Sequence, residues 1–147
     1  MHKYAYILEA YEAKKYAFVS DYARFDILNE YGGIYLDTDV EVIKDLSPIL
    51  EKGAFLGMEQ PGMVATGLGM ACEKGNELVK AFLDSYKNEH FLNADGTYNL
   101  TTVVDRCTSI LQGFGLANKA EIQRVGNFTV YPVEYFCPKD IRTGEIK

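Results

Sequence analysis

The 147-residue sequence contains no tryptophan, only four prolines and only two histidines, and neither histidine lies in a pattern typical of a metal ligand. No apolar run is long enough to cross a bilayer, and the N-terminus has no apolar segment of the secretory-signal type. Internal repeats, linkers and low-complexity segments are also absent. The sequence therefore predicts one domain, residues 1–147, without a transmembrane segment.

Cysteine is scarce as well. Cys72, Cys107 and Cys137 are odd in number, and their spacing matches no metal-binding motif. We therefore expect reduced thiols, which are typical of the cytoplasm rather than of secreted proteins. Any association with a membrane is expected to come through a molecule that the protein binds or through partner proteins.

Positive charge is in the minority, with 15 basic residues against 21 acidic ones and a net charge of -6. This balance argues against nucleic acid or an anionic membrane as the main partner. Apolar residues make up 48% of the chain, and eleven tyrosines and eight phenylalanines supply much of that area. The composition is that of a soluble globular protein.

The most informative stretch is residues 17–39. Its first half has apolar residues at spacings of three and four, which predicts one buried helix face. That face is expected to consist of Ala17, Phe18, Tyr22, Phe25, Leu28 and Tyr31. Gly32 is placed to end this helix, and residues 34–36 have the β-branched, aromatic and apolar character of a buried strand.

Two carboxylates follow this strand. In extended chain Asp37 and Asp39 would point to the same side, because side chains alternate with a period of two. Two neighbouring carboxylates repel each other unless a cation lies between them, and oxygen ligands suit Mg²⁺ or Mn²⁺. Such a cation could hold a diphosphate. The alternative is that both residues simply form a turn after the strand.

Asp21 and Arg24 lie three residues apart on the predicted helix and can therefore touch. One interpretation is an ordinary intrahelical ion pair, which contributes little at a surface. The other is a binding site in which Arg24 faces a phosphate or a sugar hydroxyl and Asp21 accepts a hydrogen bond from a sugar.

Two segments carry a family resemblance: Ser-Asp-Tyr-Ala-Arg at residues 20–24, and Tyr-Gly-Gly-Ile-Tyr-Leu-Asp-Thr-Asp-Val-Glu at residues 31–41. Together they resemble the glycosyltransferases whose sugar-binding region contains a DXD motif. That group includes capsular-polysaccharide transferases, mannosyltransferases and, more distantly, the glucosylating clostridial toxins. A weaker likeness continues through residues 54–57 to the segments at 131–132 and 135–138.

The resemblance implies a nucleotide-sugar donor, a divalent metal and the fold called GT-A. It implies that Asp39 binds the metal and that Asp37 contacts the sugar or ribose and assists at the metal. Ser20, Asp21 and Arg24 would bind the donor, with Asp21 and Arg24 holding its sugar and phosphate. Tyr35 would lie near the nucleotide.

The same resemblance suggests that the sequence covers only part of such an enzyme. Relatives usually begin with a strand and helix that form the nucleotide-base pocket. They usually continue into a histidine-containing strand and a Ser-Trp segment that closes the site. We therefore expect a catalytic region without those two parts.

Further along the chain, the pattern predicts an alternation of short strands and helices. Strands are expected at residues 40–43, 54–58, 122–125 and 128–131, and helices at residues 4–15, 47–53, 76–89 and from Asn99 or Thr101 to Gly113 or Gly115. The glycine-rich segment Thr66-Gly-Leu-Gly69 allows either a strand with a close backbone approach at its glycines or a lining for the acceptor. Residues 140–147 are expected to be loose.

These observations predict an α/β protein of GT-A type, with a mainly parallel sheet, helices on both faces and a metal site at a strand's carboxyl end. The predicted activity is transfer of a hexose from a UDP-sugar to a glycan hydroxyl in surface polysaccharide synthesis. Two alternatives stay open. One is an inactive fragment or binding module, and the other is a phosphotransferase of haloacid-dehalogenase type with Asp37 as nucleophile.

Overall fold

The computed structural model describes residues 4–138. The helices are α1 (Ala5–Glu12), α2 (Tyr16–Tyr31), α3 (Ser47–Leu50), α4 (Glu77–Asp84), α5 (Val103–Gly113) and α6 (Val133–Phe136). The strands are β1 (Gly33–Tyr35), β2 (Phe55–Gln60), β3 (Met63–Val64), β4 (Met70–Cys72), β5 (Gln123–Val125) and β6 (Phe128–Tyr131). The prediction for residues 140–147 lies outside the described residues.

The strands form one sheet in the order β1-β4-β2-β6-β5, with β3 paired to β2. Among the described strands, β2 and β6 are the one parallel pair, and the other pairs are antiparallel. The prediction of a mainly parallel sheet is therefore wrong. The physical reason is that tight turns at Gly62 (φ 76°) and Gly126 (φ 56°) reverse the chain directly, and a reversed chain pairs antiparallel.

Helices cover both faces of the sheet, as predicted. Leu56 and Met70 belong to the larger core, which contains buried side chains of α1, α2, α4 and α5. Their strand neighbours Phe55 and Ala71 belong to a smaller cluster that includes Phe136 of α6. Because side chains alternate along a strand, the two clusters lie on opposite faces of the sheet. The molecule is thus a mixed α/β protein.

Helix α2 lies in the larger core through Tyr22, Phe25 and Leu28, which are all buried as predicted. The predicted stripe is wrong at its ends, because Ala17 is exposed and the Tyr31 side chain is 72% exposed. The buried face also includes a residue that the apolar pattern did not indicate, the charged Arg24 at 5% exposure.

Gly32 ends helix α2 as predicted. Its N–H donates to the carbonyl of Leu28 at 2.8 Å, and its φ of 69° is one that residues with a side chain rarely adopt. A Cβ at this position would also lie 2.7 Å from the backbone nitrogen of Lys74. Two independent constraints therefore favour glycine here.

Two strand predictions near the site are wrong. Strand β1 is at the edge of the sheet rather than buried, and its Ile34 side chain is exposed. Residues 40–43 form no strand, and Val42 and Ile43 are exposed. The cause is a turn at Asp37, where the N–H of Val40 donates to the carbonyl of Asp37 at 3.1 Å and ends the extended chain.

The elements away from the site mostly follow the sequence pattern. Helix α4 is capped by Asn76, whose Oδ1 accepts from the N–H of Leu78 at 2.9 Å. Helix α5 is capped by Thr102, one residue beyond the predicted Thr101. Helix α6 was not predicted. Within residues 4–138, none of the helices combines the length and apolar character that a bilayer crossing requires.

Candidate functional site

A buried guanidinium is the centre of the candidate site. Nη1 of Arg24 donates to Oγ1 of Thr66 at 3.0 Å, and Nη2 donates to Oδ1 of Asp21 at 2.7 Å. Nη2 also lies 3.6 Å from Oδ1 of Asp37, and the guanidinium carbon lies 4.6 Å from the centre of the Tyr35 ring. One cation thus contacts two carboxylates, a hydroxyl and an aromatic face.

The location of this cation follows from helix α2. Arg24 and the neighbouring Phe25 are both buried in this helix, and the guanidinium reaches Thr66, which follows strand β3. A charge that is removed from water is costly unless its donors are paired, and here both terminal nitrogens have partners. The arrangement is therefore stable only while those partners stay in place.

Asp21 is the nearest partner of Arg24, and it is also largely buried, with 18% of its side chain exposed. Burial raises the pKa of the Asp21 carboxyl, and the positive charge of Arg24 opposes this rise. Because the net shift of this pKa is upward, keeping the Asp21 carboxyl ionised lowers the stability of the folded state.

Tyr35 connects the guanidinium to Asp37. Its hydroxyl donates to Oδ1 of Asp37 at 2.7 Å while its ring lies against Arg24. Burial and this hydrogen bond raise the pKa of Tyr35 to about 12. At neutral pH the phenol is therefore a protonated donor that fixes one oxygen of the Asp37 carboxylate.

The two acidic residues of the motif differ in their surroundings. The N–H of Asp37 donates to the carbonyl of Gly67 at 2.9 Å, and 42% of its side chain is exposed. Asp39 is exposed within the turn and has no hydrogen bond or ion pair to the residues of 4–138. The premise of strict strand alternation is wrong, because the chain turns at Asp37, as the alternative interpretation has it. Metal binding by Asp37 and Asp39 stays a prediction.

Ser20 takes part only through its backbone. Its hydroxyl donates to the carbonyl of Ala17 at 2.8 Å, and its own carbonyl accepts from Nε of Arg24 at 3.5 Å. Of the residues predicted for the site, the structure thus links the side chains of Asp21, Arg24, Tyr35 and Asp37 directly. The side chains of Ser20 and Asp39 lie outside this network.

Sequence reasoning did not assign Thr66 and Gly67 to this site. Of the two interpretations of the glycine-rich segment, the structure contains the close backbone approach, at Gly67 against Asp37. The strand expected with it is wrong, because residues 66–68 form a turn between β3 and β4. The lining of an acceptor remains a prediction. The signal that could have indicated the approach is the pair of glycines on either side of Leu68.

The donor set fits a divalent cation only in part. No group of three or more His, Cys, Asp or Glu side chains able to hold a metal occurs within residues 4–138. Asp37 and Asp39 offer two carboxylates, and Mg²⁺ in proteins is often held by one or two carboxylates together with substrate phosphates and water. With Asp21 and Arg24 included, the four side chains carry a formal charge of about −2 at neutral pH. A cation that is completed by a diphosphate fits this set.

One comparison with known proteins now bears on these residues. Residues 1–56 match the family model of the glycosyltransferase sugar-binding region containing a DXD motif. The matched segment includes α1, α2, β1 and both acidic residues, and it ends within β2. Thr66 and Gly67 lie beyond it. No curated protein and no solved structure matches the chain.

Proposed function

We propose that the chain carries the donor-binding site of a metal-dependent glycosyltransferase of GT-A type. It would move a hexose from a nucleotide sugar, UDP-linked, to a hydroxyl of a glycan in surface polysaccharide synthesis. The observation that carries this proposal is the buried Arg24 between Asp21 and Asp37, inside the segment that matches the DXD-containing sugar-binding region.

Asp37 and Asp39 would hold Mn²⁺ or Mg²⁺, with diphosphate oxygens completing the ligands. When bound, the cation would supply positive charge where negative charge develops on the departing nucleotide diphosphate. The protein's own contribution is to position one of these carboxylates. Oδ1 of Asp37 is oriented by the hydroxyl of Tyr35 and by the nearby guanidinium of Arg24.

Arg24 is proposed here mainly as a fixed positive charge. Each terminal nitrogen uses one N–H for its partner, and only 5% of the side chain is exposed, so direct contact with a phosphate would require one of the remaining N–H groups to become accessible. Asp21 keeps one carboxylate oxygen that is not used by Arg24, and this oxygen could accept a hydrogen bond from a sugar hydroxyl. Ser20 has an exposed hydroxyl on the same helix, and we propose that Tyr35 borders the nucleotide.

The proposal is tested by titrating the chain with UDP, with and without Mn²⁺, in a calorimeter. A screen for hydrolysis or transfer with several nucleotide sugars follows. We expect UDP binding that depends on Mn²⁺, and we expect Asp39→Asn to weaken it by at least about tenfold, as loss of a metal-site group typically does. The matched control is Glu41→Gln, which removes an exposed carboxylate two residues away.

Several results would distinguish the alternatives. Equal weakening by both variants would mean that a diffuse acidic surface attracts the cation. No binding of UDP with Mn²⁺ by the unsubstituted chain would refute the donor site. Binding without hydrolysis or transfer for any donor would favour the binding module over the active enzyme.

A further inference from the structure

We propose that the Thr66–Gly67 turn, which lies outside the segment matched by the family model, positions the two central charged residues of the site. Gly67 provides the space that the Asp37 carboxylate occupies, and Thr66 holds the guanidinium of Arg24. The inference rests on the proposed function, because it assigns these two residues a role in preparing that site for its ligand.

The first support is the absence of a side chain at Gly67. A Cβ at this position would overlap Oδ2 of Asp37 and would lie 2.6 Å from its Cγ. Gly67 is not one of the glycines with positive φ, so its backbone conformation would accept alanine. A methyl group at position 67 is therefore excluded by the Asp37 carboxylate and not by the backbone conformation.

The second support is that both oxygens of this carboxylate are confined. Oδ1 accepts from Tyr35, and Oδ2 lies against the Cα of Gly67. The main chain of Asp37 is bound to the same glycine through the 2.9 Å hydrogen bond to its carbonyl. Asp37 is thus held to the turn by both its main chain and its side chain.

The third support is the burial of Thr66. Its side chain is fully buried, and Oγ1 accepts the Nη1–H of Arg24 at 3.0 Å. The turn itself is fixed to the sheet, since the N–H of Ala65 donates to the carbonyl of Gly57 in β2 at 3.0 Å. Thr66 therefore transmits the position of a central strand to the guanidinium.

The binding test compares Gly67→Ala with Gly69→Ala in the full chain. An alanine at position 69 would meet the Phe136 ring at 3.1 Å, so it adds the same methyl group to the same segment without touching Asp37. We expect Gly67→Ala to weaken Mn²⁺-dependent UDP binding at least tenfold and Gly69→Ala to change it less than threefold. Equal binding by Gly67→Ala and the unsubstituted chain would overturn the proposal.

A stability cycle tests the contact without relying on activity. We expect Gly67→Ala to lower the melting temperature by roughly 3–10 °C, the range for one overpacked methyl group in a chain of this size. In the Asp37→Ala background the same substitution should lower it by less than about 2 °C, because the carboxylate is gone. The same loss in both backgrounds would overturn the proposed contact.

Thr66 is tested with Thr66→Val and Thr66→Ser. Valine keeps the shape of threonine but cannot accept the hydrogen bond from Arg24, whereas serine can. We expect weaker UDP binding for Thr66→Val and near-normal binding for Thr66→Ser. If both variants bind like the unsubstituted chain, Thr66 does not position Arg24.

The failure of the inference differs from the failure of the proposed function. If the unsubstituted chain binds UDP with Mn²⁺, and Gly67→Ala and Thr66→Val bind it equally well, the positioning role is wrong and the proposed function stands. If the stability cycle shows coupling but the unsubstituted chain binds neither Mn²⁺ nor UDP, the proposed function is wrong. The positioning role then fails with it, and a purely structural contact remains.

Discussion

Replacement of Arg24 by methionine would remove the positive charge while keeping an unbranched chain in a buried position. The change eliminates the hydrogen bonds to Oγ1 of Thr66 and Oδ1 of Asp21, and it removes the cation 3.6 Å from Asp37. Asp21 and Asp37 share Arg24 as their counter-charge, and in the variant no positive charge would lie between these two carboxylates.

The size of the effect follows from burial. Breaking a fully buried ion pair by removing one partner costs about 3–5 kcal/mol. Asp21 is 18% exposed and Asp37 is 42% exposed, so water screens the second carboxylate more than the first. We therefore expect Arg24→Met to lower the free energy of unfolding by about 2–4 kcal/mol at pH 7.

The pH dependence should identify charge as the cause. Burial raises the pKa of Asp21 and Arg24 lowers it, so the pKa rises further in Arg24→Met. A carboxyl with a raised folded-state pKa contributes stability that is complete below its ordinary value of 3.8 and is lost as the pH rises through the folded-state pKa. The deficit of the variant relative to the unsubstituted chain should therefore shrink as the pH falls from 7 towards 4.

Urea unfolding at pH 7, 5.5 and 4.5 measures this difference for both chains. The double variant Asp21→Asn/Arg24→Met is the control, because it removes both charges of the pair. We expect it to recover part of the lost stability at pH 7 and to show a weaker pH dependence. A deficit that is the same at all three pH values would refute the electrostatic reasoning and would point to lost packing instead.

Two further predictions concern single residues. Gly32→Ala should destabilise the fold by about 2–4 kcal/mol in urea unfolding, because it combines a positive φ with a clash against the backbone of Lys74. The control Gly113→Ala has open space around its methyl group and should not destabilise the fold. Equal stability of the two variants would contradict this account. The pKa of Tyr35, raised to about 12 by burial and by Asp37, implies a stabilising contribution that is complete below pH 10 and is lost as the pH rises towards 12. Tyr35→Phe should therefore lose less stability than the unsubstituted chain between pH 9 and pH 11 in thermal unfolding, and parallel losses would contradict it.

Local features of the site could be predicted from the sequence. Helix α2, its end at Gly32 and the contact between Asp21 and Arg24 all follow from spacings of three or four residues, which the chain expresses without help from distant parts. The match of residues 1–56 to the DXD-containing region has the same local basis, since it covers this segment.

Long-range pairing could not be predicted in the same way. Thr66 and Arg24 are separated by 42 positions, and an ordinary buried threonine has the same sequence pattern as one that binds a guanidinium. The position of β1 at the sheet edge depends on its pairing with β4, which no local periodicity encodes. The expectation of a buried strand failed for this reason.

The unequal settings of Asp37 and Asp39 have a consequence for the choice of ion. The first carboxylate is fixed by Tyr35 and by the turn at Gly67, while the second has no contact that restrains it within residues 4–138. Under the proposed function, the ion would be bound by one fixed carboxylate, Asp37, and by one carboxylate that is free to rotate, Asp39. Rotation of the Asp39 side chain alone would then change the distance between the two carboxylates, so the same site would bind ions of different radius. Exchange of Mg²⁺ for Mn²⁺ should therefore leave the rest of the fold unchanged.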